Sequence, residues 1–327
     1  MSSPRRCIVF ALLALPIAAL TAACSDDAPQ PRVETVDAVR IAVIPKGTTH
    51  VFWKAVEQGA REGGAAAGFE VLWKGPLQEN DRAQQIQLVQ QFIADEVDGI
   101  ALAPLDHAAL APVVAQAKSK LIPVVIFDSA LDGVVGTDFL SFIATDNEAG
   151  GALGGAELVR LLGGKGKAVL LRYNVGSAST EAREAGFLTS AHAGGLEVTV
   201  DNRYAGATAG EAKTTALNML DALKEAQGVF CSNESATNGM LLALQQTGLA
   251  GKLRFVGFDA SPPLVQALKD GAIDALVVQN PRKMGRLAVD ALAKKLRGQE
   301  VAPTIDTGAV LVTRENMREP EIAKLLE

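Results

Sequence analysis

From Val39 onward the chain alternates short apolar runs, rich in β-branched residues, with longer stretches whose apolar positions recur every three to four residues. The runs at Val39 to Ile44, Glu70 to Trp73, Gly99 to Ala103, Val124 to Phe127, Ala168 to Leu171, Glu197 to Val200, Gly228 to Phe230, Arg254 to Phe258 and Ala275 to Val278 predict strands. Most are apolar throughout, without the in-and-out alternation of a half-exposed sheet, so both faces are expected to be covered. Between them Ile86, Val89 and Ile93 share one helical face, as do Met284, Leu287, Ala288, Ala291 and Leu292. Strands alternating with amphipathic helices place the chain in the α/β class, with parallel sheets under helices. Gly59, Gly63 and Gly64 inside a helical stretch indicate close approach of that helix to a sheet rather than disorder. The segment GGKGK at Gly163 to Lys167 lacks the spacing of a phosphate loop, and Ala168 stands where such a loop needs Ser or Thr. It therefore predicts a helix-ending turn near the midpoint of the chain, which suits two similar lobes of about five strands each.

The N-terminus has a different pattern. Arg5 and Arg6 precede an apolar stretch from Cys7 to Leu20, broken by Pro16 and too short to span a bilayer comfortably. That is the layout of a signal peptide, and Thr21, Ala22 and Ala23 lead from it to Cys24, as in a bacterial lipobox with its Leu one place early. Residues 1–23 are read as a lipoprotein signal, Cys24 as the lipidation site, and residues 24–36, polar and Pro-containing, as a tether. The alternative is an ordinary cleaved signal with an incidental Cys24. No later segment has an unbroken apolar run of about 18 to 20 residues, so the expected location is the periplasm or cell envelope, lipid-anchored to a membrane. Of three cysteines only Cys231 would then remain unmodified, which excludes a disulfide within the chain. With 327 residues and 48% hydrophobic content the chain can bury two cores, and its net charge of −6 argues against a nucleic-acid surface.

In open parallel sheets ligands bind beyond the carboxyl ends of the strands. Those positions hold Lys46, Lys74, Asp106 and Asp128 with Ser129 in the first half, and Tyr173, Asn233 with Glu234, Asp259 and Gln279 in the second. An ordinary polar turn accounts for any one of them alone. Asp128 and Asp259 stand apart because each follows a Phe at a strand end expected to be buried, where a carboxylate must be paired, cap a helix or accept ligand hydroxyls. The segment KGTTHVFW, Lys46 to Trp53, joins the donors Lys46 and His50 to Phe52 and Trp53, whose faces suit the C–H face of a sugar. Packing of both aromatics on the sheet is the alternative, since neighbours on a helix do not share a face. His50, His107 and His192 lack metal-ligand spacing, and the serine-rich GSAST at Gly176 to Thr180 reads as a loop opening a helix. No catalytic residue, metal or cofactor is assigned, and an enzyme is not expected.

Five motifs then fall in order: VDGIALAP at Val97 to Pro104, IPVVIFDS at Ile122 to Ser129, ATDN at Ala144 to Asn147, VGFDASP at Val256 to Pro262 and VVQNP at Val277 to Pro281. With them, the chain from Val39 to about Val312 resembles the periplasmic sugar-binding proteins of ABC importers, in the branch that includes ribose-binding proteins and the ligand domains of lactose-repressor-type regulators. The export signal, with no helix-turn-helix before Val39, disfavours the repressor branch. The resemblance implies the type I periplasmic-binding-protein fold: two doubly wound parallel-sheet lobes joined by three hinge segments and closing around a ligand. The N-terminal lobe would comprise residues 37–145 and 280–306, the C-terminal lobe 146–279 and 307–327, with hinges near Thr145, Asn280 and Asp306.

Carried over position by position, the resemblance implies ligand contacts at Lys46, His50, Phe52, Trp53, Asp128, Ser129, Glu181, Tyr204, Asn233, Phe258, Asp259 and Gln279. Four depart from the ribose pattern. Ser129 and Glu181 stand where ribose-binding proteins use arginine, and Lys46 and His50 replace a small hydroxyl residue and an asparagine. Arg183 takes the place of Glu181 if the helix shifts slightly. Ribose itself is therefore not the expected ligand, and an amino sugar, a polyol, a bacterial signalling sugar and a neutral aldose stay open. The expected partners are a small sugar-like molecule, an ABC permease and, through the lipid, a membrane, with no nucleic acid and a monomeric chain. The alternative is a ligand-sensing receptor read by a membrane kinase or chemoreceptor.

Overall fold

The computed structural model describes residues 38–326, and within them the apolar runs become strands of two separate six-stranded sheets. The chain passes through β1 (Arg40–Ile44), α1 (Val51–Ala67), β2 (Glu70–Trp73), α2 (Arg82–Ala94), β3 (Gly99–Leu102), α3 (Ala111–Ser119), β4 (Val124–Phe127) and β5 (Ser141–Ala144). It continues through α4 (Asn147–Leu162), β6 (Gly166–Arg172), α5 (Ala178–Ala193), β7 (Leu196–Tyr204), α6 (Ala209–Asn218), α7 (Leu220–Glu225), β8 (Gly228–Cys231), α8 (Glu234–Gln246) and β9 (Arg254–Phe258). Then come α9 (Pro262–Asp270), β10 (Ala275–Gln279), α10 (Pro281–Leu296), β11 (Thr304–Asp306), β12 (Ala309–Thr313) and α11 (Pro320–Ala323). The signal, Cys24 and the tether lie outside the described residues, and no described helix is long and apolar enough to cross a membrane.

The first sheet has the order β11-β5-β4-β3-β1-β2 and is parallel throughout. The second, β12-β10-β9-β8-β6-β7, repeats that order with β12 antiparallel to β10. The chain crosses between sheets after β5, after β10 and between β11 and β12. After the first crossing α4 packs on α5 and the second sheet, and after the second α10 packs on α1 and the first sheet. Each sheet has six strands rather than about five, because β5, β11 and β12 escape the sequence pattern. β5 has only four residues, β11 three, and the edge strand β12 has just one buried position.

Burial on both faces explains the continuous apolar runs. Within the first sheet Ala42, Ile44, Ile100, Leu102 and Ile126 join the core under α2 and α3, while their neighbours Ile41, Val43, Ala101, Val125 and Phe127 join the core under α1 and α10. The second sheet divides in the same way, Val169 and Leu171 to one side, Ala168 and Leu170 to the other. Full burial of each Ile, Leu, Val or Phe contributes roughly 1.5–3 kcal/mol.

Helix glycines set how closely the layers approach. A Cβ on Gly59 would lie 1.9 Å from the Arg282 carbonyl oxygen, and one on Gly285 would lie 2.1 Å from that of Val56, so α1 and α10 cross backbone to backbone; Gly59 and Gly63 thus face a helix rather than the expected sheet, and Gly64 alone of the three meets the sheet, at Val71. α4 and α5 repeat this, Gly151 facing the Arg183 carbonyl at 1.9 Å and Gly186 that of Glu148 at 2.0 Å. The GGKGK segment ends α4: Gly163 is left-handed (φ 66°), and β6 begins at Gly166.

Candidate functional site

The loops at the carboxyl ends of the two sheets meet across a polar cavity of about 30 Å³. Lys46, His50, Phe52, Trp53, Glu79 and Asp128 line it from the first lobe, and Tyr173, Ser179, Thr180, Arg183, Asn233, Glu234, Asp259 and Gln279 from the second.

Asp128 and Asp259 occupy equivalent places in the two lobes, each directly after the Phe that ends a sheet's fourth strand in chain order, β4 or β9. Both adopt left-handed backbone conformations, φ 63° and 70°, that short Asp side chains tolerate better than most residues. In each case the amide bonds to the neighbouring strand, Asp128 to the Ile143 carbonyl at 3.0 Å and Asp259 to that of Val277 at 2.8 Å. The resulting bend places both carboxylates at the cavity wall.

Asp128 Oδ2 lies 2.9 Å from Lys46 Nζ, with both side chains buried. The ammonium also donates to Ser179 Oγ at 2.9 Å, bridging the lobes. Among the described residues Asp259 has no such direct cation: Oδ1 accepts from Gln279 Nε2 at 2.7 Å and Oδ2 from the Glu234 amide at 2.9 Å. Burial pushes its carboxyl above the usual range, more strongly than the Arg183 charge and the Gln279 bond hold it down.

The Arg183 guanidinium sits 4.0 Å above the Phe258 ring centre. Its Nε donates to Asn147 Oδ1 at 2.8 Å, Nη1 to the Ser232 carbonyl at 3.0 Å and Nη2 to Gln279 Oε1 at 2.8 Å. Gln279 Oε1 also accepts from Thr145 Oγ1 at 2.9 Å, and that hydroxyl is 3.4 Å from Thr307 Oγ1. Residues beside all three crossings are thus tied to the cavity arginine.

Glu79, in the loop between β2 and α2, gathers a second network. Its Oε1 is 2.7 Å from both His50 Nδ1 and Trp53 Nε1, and Oε2 accepts from the Tyr173 hydroxyl of the other lobe at 3.0 Å. Burial works against the Glu79 carboxylate, yet the charge and hydrogen bond of His50, followed by Lys46 and Trp53, lower its pKa to about 2. His50 is pulled down by burial but raised further by Glu79, then Glu234 and Asp259, to about 9. Glu234 caps α1 from the opposite lobe, accepting from the Phe52 amide at 3.1 Å and the Val51 amide at 3.4 Å, where the N-cap residue His50 makes no side-chain cap. Burial raises its carboxyl, against the attraction of His50 and the Phe52 amide.

Of the residues implied by the resemblance, Lys46, His50, Phe52, Trp53, Asp128, Asn233, Asp259 and Gln279 line the cavity. Asn233 doubles as the N-cap of α8, accepting from the Ala236 amide. Four lie elsewhere. Ser129 is buried behind the wall, its Oγ accepting from the Ser179 amide at 3.0 Å. Phe258 is fully buried beneath Arg183. Glu181 turns away from the cavity, accepting from the Gly176 amide at 2.7 Å beside His107. Tyr204 is 44% exposed at the end of the edge strand β7. Arg183 occupies the wall that Glu181 was expected to reach, because residues two apart on a helix are rotated by roughly 200°. Tyr173 and Glu234 had stood out only as polar strand ends, and Lys74 from that set bonds Gln91 on the exposed surface instead. Ser179 and Thr180 had been read only as part of the GSAST loop that opens a helix, and Glu79 carried no signal. Glu79 lies six residues beyond β2, past the positions that strand-end reasoning inspects.

Two α/β lobes with a buried polar cleft between the carboxyl ends of their sheets define a two-lobed small-molecule-binding class. The periplasmic binding protein domain matches residues 41–300, and the chain belongs to that family. It is 29% identical over 307 residues to a D-ribose/D-allose-binding protein of Pseudomonas aeruginosa, covering 90% of this chain and 96% of that protein. It is also 29% identical to the ribose import binding protein of Bacillus subtilis, covering 81% of this chain and 84% of that one. Among solved structures, an ABC transporter solute-binding protein from Agrobacterium vitis with bound D-fucose superposes with a TM-score of 0.84 at 35% identity, covering 88% of this chain and all of that one. A carbohydrate transporter solute-binding protein from Agrobacterium radiobacter in complex with D-arabinose gives 0.85 at 31% identity, covering 90% of this chain and 100% of the other.

Proposed function

We propose that this chain captures a monosaccharide or closely related polyol between its lobes, outside the cytoplasm, and delivers it unaltered to an ABC permease. The observation that carries the reading is the lining of the cleft, where two aromatics lie beside carboxylate, guanidinium and amide groups. The aromatics suit the C–H face of a sugar ring, and ionised groups make strong bonds to its hydroxyls. The sugars named for the relatives and bound in the neighbours support it. Lys46, His50 and Ser129 differ from the ribose pattern, which favours a hydroxyl arrangement other than that of ribose. In this reading the lobes comprise residues 37–145 with 280–306 and 146–279 with 307–327, and hinge near Thr145, Asn280 and Asp306. The Thr145 contacts to Gln279 and Thr307 support that placement. A lipid on Cys24 holds the protein at the membrane, followed by a tether at 24–36.

The test is thermal denaturation of the fragment from Ser25 with D-ribose, D-allose, D-fucose, D-arabinose and myo-inositol. A ligand at a hundred times its Kd stabilises the folded form by about 2.7 kcal/mol, a shift of several degrees. At least one sugar is expected to give such a shift and to be recovered chemically unchanged, and the absence of any shift sinks the sugar assignment. In cell fractionation Cys24→Ala is expected to move the protein from the membrane to the soluble fraction; unchanged partitioning rules the lipid out.

A further inference from the structure

The cleft contains a charged network that the resemblance does not assign, centred on Glu79. Three side chains converge on this one buried carboxylate: the His50 ring and the Trp53 indole from its own lobe, and the Tyr173 hydroxyl from the other. His50 and Trp53 both sit at the start of α1, so that helix and the loop before α2 carry this part of the network whether or not the lobes meet. Tyr173 directly follows β6 and joins only across the cleft.

We infer that Glu79 is a positioning residue of the cleft, fixing His50 as an imidazolium whose Nε2–H is offered to the ligand, and fixing the Trp53 ring beside it. Resting on the sugar-binding reading, this assigns specificity to a residue outside the expected ligand contacts. The chemistry follows from tautomers. A neutral His50 that donates from Nδ1 to Glu79 presents Nε2 as an acceptor, whereas a charged ring presents a donor. Glu79 therefore decides which ligand oxygens the first lobe selects: with the imidazolium held, the ring demands an acceptor such as a ring oxygen or hydroxyl lone pair. Trp53 Nε1 can only donate, so its bond to the same oxygen fixes the indole plane at the cavity wall. The groups facing His50 are Glu79 from the β2–α2 loop, Glu234 from α8 and Asp259 from the end of β9, all of which favour the charged ring, while burial opposes it. Lys46, from the β1–α1 loop, adds its charge beside Glu79.

The first experiment needs no ligand and is independent of the sugar reading. The carbon-bound ring proton of His50 is followed by NMR across about pH 5 to 10 in the wild type, Glu79→Gln and Glu79→Asp. The wild-type midpoint is expected near 9, Glu79→Gln at least about one unit lower because the carboxylate charge is gone, and Glu79→Asp between them. A wild-type midpoint near the ordinary 6.5, or equal midpoints in the wild type and Glu79→Gln, overturns the proposal. In the second experiment, affinity for whichever sugar of the panel stabilises the protein most is measured at about pH 6 and pH 8.5. His50 is charged below its midpoint and loses its charge as pH rises through it. The wild type should hold its affinity over that interval, and Glu79→Gln should lose about fourfold or more, the fall in its charged fraction for a midpoint one unit lower. A loss in Glu79→Gln that is the same at both pH values shows Glu79 serving the fold alone and overturns the proposal. If no sugar binds, the functional reading fails while the titration still decides the role of Glu79.

Discussion

At the residue scale, the twin aspartates are built alike but bear different loads. Asp128 is the direct counter-ion of a buried lysine, whereas Asp259 is held by an amide side chain and a backbone N–H. Asn tolerates the left-handed backbone about as well as Asp, so the Asn variants isolate charge from strain. Asp128→Asn leaves Lys46 buried without its partner and is expected to destabilise the protein by about 3 kcal/mol, since breaking a buried pair costs roughly 3–5 kcal/mol. Asp259→Asn is expected to cost less, about 1 kcal/mol, because it gives up one of the two bonds that Asp259 accepts while removing a carboxylate that burial disfavours. Both should weaken sugar binding by at least about tenfold. Urea denaturation and calorimetry check the two quantities separately; equal stability losses would refute the distinction. These aspartates were legible because an Asp after a buried aromatic strand end is conspicuous in one dimension. Glu181 was not resolvable from Arg183, because a two-residue difference in phase reverses the face of α5 and only packing against α4 sets that phase.

At the scale of elements, the glycine pairs make a comparison possible. Gly59 and Gly151 each sit 1.9 Å, measured from a hypothetical Cβ, from a carbonyl on the crossing helix, but that carbonyl belongs to Arg282 in one lobe and to Arg183 in the other. Alanine at either position should force the helices apart at a cost of about 1–3 kcal/mol or more. Only Gly151→Ala should also weaken sugar binding, by about tenfold or more, because it displaces the backbone that carries the cavity guanidinium. Comparable affinity losses in both variants would show that general destabilisation, not the placement of Arg183, is responsible. A close approach of α1 was readable from glycines inside its amphipathic pattern, although the pattern pointed to the sheet and not to a second helix. Which backbone each one meets was not, since α4 follows a strand of the first sheet and packs on the second, and α10 does the reverse.

At the scale of the whole molecule, several bonds join the lobes through protein groups alone: Glu234 to the start of α1, Lys46 to Ser179, Tyr173 to Glu79 and the Ser179 amide to Ser129. Such contacts favour the form with the lobes together, and a ligand adds to that bias. Glu234→Ala is expected to raise the radius of gyration of the ligand-free protein in small-angle scattering and to leave that of the sugar-saturated protein unchanged. An unaltered ligand-free value would mean that Glu234 caps α1 without holding the lobes. By itself the sequence determined the α/β class, the doubling of the lobes and most of the polar strand ends, because these follow from local hydrophobic period and from where strands stop. The tertiary structure alone decided that Glu79, 26 residues from Trp53 and 94 from Tyr173, would gather both, and that Arg183 rather than Glu181 would face Gln279, 96 residues away. Those contacts depend on helix phase and on loops from two sheets converging on one cavity, and neither leaves a mark in the local pattern of a single chain.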